Sequence, residues 1–129
     1  MSYGTSITVR TPFAETVSRV KEALLAQGFG VLTEIDVKAT MQAKLGEQME
    51  EYLILGACNP PLAHRALSAD RGIGLLLPCN IVVRESAEGT VVDVLDPHIM
   101  ATLTQDPEIE QVAQEAGRRL AAAVATLPT

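Results

Sequence analysis

Tryptophan is absent, and only Tyr3, Phe13, Phe29 and Tyr52 carry aromatic rings. Proteins that hold single strands of nucleic acid by base stacking need exposed rings, so that mode is excluded. Positive charge is scarce too. Ten Lys and Arg stand against sixteen Asp and Glu, a net charge of −6 that no basic cluster offsets. Phosphate backbones would be repelled, and no nucleic-acid partner is expected. The apolar runs are too short to span a bilayer, and Met1 to Ser6 lack the basic-then-apolar layout of a signal peptide. The expectation is therefore a cytoplasmic protein with no membrane partner. Cysteine occurs only at Cys58 and Cys79, and in that compartment both are expected as free thiols. Neither a Cys-x-x-Cys motif nor a histidine pair occurs, which argues against a standard structural zinc site.

What the chain does have is aliphatic mass. Its hydrophobic content of 47% comes mostly from Ala, Leu, Val and Ile, enough for one self-sufficient core, and a single domain over residues 1–129 is expected. Alternation over Thr5 to Arg10 predicts a first strand. Thr11-Pro12 opens a helix with Thr11 as N-cap, carrying a stripe of Phe13, Val17, Val20 and Leu24 and stopped by Gly28. Phe29 to Val37 reads as a second strand. Lys38 to Leu45 reads as a short helix with Met41 and Leu45 on one face, and Tyr52 to Cys58 as a third strand. Asn59-Pro60-Pro61 caps and pre-sets a helix over Leu62 to Asp70, with Leu62, Ala66 and Ala69 facing inward. Gly72 to Leu77 and Cys79 to Glu85 read as strand interrupted by Pro78. A turn at Ala87-Glu88-Gly89 returns the chain through Thr90 to Leu95. Asp106-Pro107 starts the last helix, striped by Ile109, Val112, Ala113, Ala116, Leu120, Ala123, Val124 and Leu127. The sum is an α+β fold, a mostly antiparallel sheet with amphipathic helices packed on one face.

Two cysteine motifs dominate the middle of the chain: Leu-Gly-Ala-Cys58-Asn59-Pro60-Pro61 and Leu-Leu-Leu-Pro78-Cys79-Asn80-Ile-Val-Val. Together with Tyr52 to Leu67, Ile35 to Met41 and Asp96-Pro97, they resemble the bacterial and archaeal domain-of-unknown-function family 302. The resemblance covers nearly the whole chain. It implies a compact, self-associating α+β domain and carries no activity with it. Histidine at position 98 is not a feature that the resemblance demands.

Cys58, Asn59, Pro78, Cys79 and Asn80 are the candidate ligand or redox site, because both motifs lie where strands end or begin. Cys58 precedes a helix cap, where the positive end of the helix dipole would lower a thiol pKa. If both thiols converge, they suit a redox pair or a soft metal. The candidate metal ligands are then Cys58, Cys79 and His98, with Met41 or Met100 as other third ligands. A pocket for a small apolar ligand, walled by Pro60, Pro61 and Pro78 with asparagine amides as donors, is the alternative and needs no thiol chemistry. No residue is assigned a catalytic role and no cofactor is assigned. His64 reads as a solvated helix residue, and Glu47, Glu50 and Glu51 as a solvated loop. An apolar sheet with an exposed edge strand invites pairing with a second copy, so a homodimer is expected.

Overall fold

In the computed structural model, which describes residues 1–129, alternating segments become strands and segments with three-four spacing become helices. The order is β1 (Gly4–Val9), α1 (Phe13–Ala26), β2 (Gly30–Asp36), α2 (Val37–Leu45), β3 (Tyr52–Cys58) and α3 (Pro60–Ala69), followed by a 3₁₀ helix (Arg71–Leu76). The chain continues through β4 (Cys79–Ser86), β5 (Gly89–Leu95), α4 (His98–Thr104) and α5 (Pro107–Ala125). The strands form one open antiparallel sheet in the order β1-β5-β4-β3-β2, leaving β1 and β2 as edges. This is the α+β class that the alternation implied. No helix is long and apolar enough to cross a membrane.

Register decides which side chains meet the helices. Leu55, Ile81 and Val94 stand side by side across β3, β4 and β5, and Leu53, Val83 and Val92 form the next row. Leu55, Ile81, Val83 and Val92 are at most 1% exposed, and burying each is worth about 1.5–3 kcal/mol. Against them pack Val20 and Leu24 of α1 and the α5 stripe of Ile109, Val112, Ala116, Leu120 and Ala123, all in the same buried cluster. Along the opposite face, Ile35, Ile54 and Val82 lie in one row, and Ile35 is 49% exposed.

Four local expectations need correction. Thr11 does not cap α1, whose N-cap is Pro12 with no side-chain bond. The Thr11 carbonyl instead accepts from Thr16 Oγ1 at 3.1 Å and from Thr90 Oγ1 at 2.8 Å, which ties the β1–α1 corner to β5. Residues 71–76 are a 3₁₀ helix and not a strand. Asp70 Oδ1 accepts the Gly72 amide at 2.9 Å and starts that turn, a local bond that competes with sheet pairing. The helix α4 was not foreseen. Helix α2 buries no side chain and leaves Leu45 67% exposed, so its apolar residues do not form an inward stripe. Local capping holds it: Asp36 Oδ1 accepts the Ala39 amide at 2.9 Å, and Gly46 closes the helix with φ 66°.

Candidate ligand pocket

Where β3 ends, Cys58 leads straight into Asn59, whose side-chain oxygen accepts the Leu62 amide at 3.2 Å and caps α3. Pro60 and Pro61 occupy the first turn, where missing N–H groups cost nothing. Ala57 stands opposite Cys79 in the β3–β4 register. The two cysteine motifs, their thiols twenty-one positions apart in sequence, therefore share one end of the sheet.

Between this end, α3 and α5 lies an apolar pocket of about 330 Å³. Cys58, Asn59, Pro78 and Cys79 all line it, so four of the five candidate residues do converge. Of the 16 lining residues 13 are hydrophobic, which makes the cavity a poor host for water and a good one for hydrocarbon. Alanines keep the space open: Ala63 and Ala66 on α3 and Ala116 on α5 present only methyl groups to it. Met100, from the unforeseen helix α4, closes one side. Leu77 and Pro78 complete the wall across a cis peptide bond.

Three features of the expected site are corrected. Asn80 is exposed and pairs with Gly56, outside the pocket, because side chains alternate along β4 and Cys79 takes the inward position. The Cys58 thiol is not acidified. Desolvation in the apolar wall raises its pKa above 9.0, which outweighs the helix-end field. Cys79 goes further, up to about 11, from burial first and the neighbouring Cys58 second. Both thiols are thus protonated near neutral pH.

The third correction concerns metal. No three His, Cys, Asp or Glu side chains come together as a metal site, so Cys58, Cys79 and His98 do not form one. His98 heads α4 and lines a different cleft, with its Nδ1 2.9 Å from Asp96 Oδ1. The same oxygen accepts the His98 amide at 2.9 Å, and this local turn holds the Asp96 carboxyl below the usual carboxylate range. Of the alternative ligands, Met41 sits on α2 away from the pocket, whereas Met100 lines it with the two cysteines. His64 is exposed on α3, as expected of a solvated helix residue.

The pocket's other residues carry no signal in the sequence. An Ala at a helix-stripe position reads as ordinary core, and only the packing angle reveals that nothing fills the space beyond its methyl. In the sequence Met100 stands out only as a third-ligand candidate, since α4 gives no clear periodic signal.

No curated protein matches the chain. Its structure is similar to the crystal structure of an uncharacterized conserved DUF302 protein from Bacillus stearothermophilus, with a TM-score of 0.89 and 30% identity. That match covers 97% of this chain and 98% of the other. The family model described as "Domain of unknown function DUF302" matches residues 5–127, and the chain belongs to that family.

Proposed function

We propose that this protein is a binding module for a small apolar ligand, taken into the pocket between α3, α5 and the β3–β4 end. The observation that carries this reading is the pocket's lining: almost wholly hydrophobic, about 330 Å³, within the size range of ligand sites. Hydrocarbon moved there from water gains roughly 25 cal/mol per Å² of apolar area removed from solvent. The reading needs no reaction at sulfur. A reducing, cytoplasmic setting is part of it, because both cysteines are free.

The test is a titration with 1-octanol followed by amide chemical shifts. Saturable shifts are expected at Ala57, Ala63 and Gly74, which line the pocket, and Ala63→Leu should weaken them by filling space. Unsaturable shifts spread over the surface would overturn the reading.

A thiol or soft-metal role is the second reading, supported by three sulfur-bearing residues that line the same pocket, Cys58, Cys79 and Met100. Such a set suits Cu(I) better than Zn(II). The raised thiol pKa values count against it, since protons must leave before a metal binds.

Self-association belongs to the same proposal. The outer edge of β2 offers unpaired main-chain groups, and Leu32 and Ile35 on it are 68% and 49% exposed. A second copy pairing along β2 would cover them. Sedimentation at micromolar protein should return a dimer, and a clean monomer would refute it.

A further inference from the structure

The size of the pocket and the chemistry of its walls together narrow the ligand. An apolar cavity of about 150 Å³ suffices to hold benzene. This one is about 330 Å³, which is room for two fused rings. None of its 16 lining residues carries a charged side chain, so an ion entering it would lose hydration and gain no partner.

The walls also hold softer groups than an aliphatic ligand uses. Cys58, Cys79 and Met100 bring sulfur to the lining, and Phe29 brings a ring. Sulfur is attracted to aromatic rings, often at the ring edge, and two rings attract each other when offset or edge to face. A saturated chain makes neither contact. Desolvation keeps both thiols protonated, so they present neutral sulfur and not a charge that would repel a π face. Met100, 2% exposed on α4, adapts its three rotatable bonds to whatever it meets. Ala66, Ala116 and the Pro78 ring, which line the same cavity, have no such freedom. A flat, rigid ligand loses no internal rotation on entry, whereas an alkyl chain of equal size does.

Resting on the apolar-pocket reading, we propose that the ligand is an uncharged aromatic of two fused rings, held by contacts with Phe29 and the three sulfur-bearing side chains. Ionised aromatics are rejected, because no lining side chain compensates their charge.

Calorimetric titration with 2-naphthol and with decahydro-2-naphthol isolates the aromatic contribution, because the two share a skeleton and a hydroxyl. Burial alone favours the saturated probe, which has the larger apolar surface. 2-Naphthol is nevertheless expected to bind at least about fivefold tighter. Met100→Leu conserves volume and removes the sulfur, and should lower that ratio about twofold. Phe29→Leu should lower it further; Phe29 is 2% exposed, so Met100→Leu carries the test if that variant does not fold. 2-Naphthoate should bind at least about tenfold more weakly than 2-naphthol. A ratio at or below one overturns the aromatic assignment and leaves the pocket reading standing, as does binding of 1-octanol alone. A ratio unchanged in every folded variant also overturns it, and so does 2-naphthoate binding as tightly as 2-naphthol. Failure of both ring probes and of 1-octanol overturns both readings.

Discussion

Ala57 on β3 faces Cys79 on β4, and this one pairing brings Cys58 and Cys79 to a single pocket wall. The packing that unites the thiols also keeps them protonated. Free cysteine behaves as a small apolar residue when so enclosed, and Cys79 is 6% exposed.

Alkaline pH should destabilise the fold through Cys79. Its pKa rises from 9.0 unfolded to about 11 folded, so the unfolded state releases its proton first. The contribution is complete below pH 9 and is lost as pH climbs towards 11, by up to about 3 kcal/mol. Urea unfolding at pH 7.5 and at pH 10.5 should show a lower midpoint at the higher pH, and Cys79→Ala should shrink the difference. An equal difference in the variant would refute the assignment.

Zinc should not be retained. Two thiols without a clustered imidazole or carboxylate fall short of the usual three or four protein ligands. Protein mixed with zinc and desalted is expected to carry no stoichiometric metal. One equivalent, lost in the Cys58→Ala variant, would show that this conclusion is wrong.

Gly56→Ala should destabilise by about 1–3 kcal/mol through overpacking. A methyl there would meet Thr33 Oγ1 and stand 2.7 Å from Pro78 Cγ. Thr33 can rotate, whereas the Pro78 ring is rigid and forms part of the pocket wall. Thermal unfolding measures the cost; an unchanged midpoint would mean that the wall yields freely.

Asn59→Ala should cost about 1 kcal/mol as a lost N-cap, and Asn59→Ser should recover most of it. Denaturant midpoints decide between them. If serine fares no better than alanine, the amide stabilises the fold by some route other than the cap at Leu62.

Much of the fold was legible because its signals are local. The α5 stripe from Ile109 to Leu127 is buried at nearly every expected position, and the turn at Gly89 returns β5 against β4 as anticipated. Failures occur where a side chain redirected the backbone. Asp70 bonded Gly72 and turned residues 71–76 into a 3₁₀ helix, while Leu75, 92% exposed there, reads from sequence as strand core. The dipole argument at Cys58 failed for a different reason: helix-end fields can be read from neighbours, but desolvation depends on everything packed around the sulfur.

Residue order alone determined which segments alternate, that Asn59 caps α3, and that both cysteine motifs lie at strand ends. Those are matters of spacing and backbone hydrogen bonding within a few residues. Strand pairing and helix packing decided the rest: the meeting of Cys58 with Cys79, the separation of His98 from both, and the hollow bounded by Ala63, Ala66 and Ala116. A void is a property of surfaces that fail to touch, so only the assembled fold contains it.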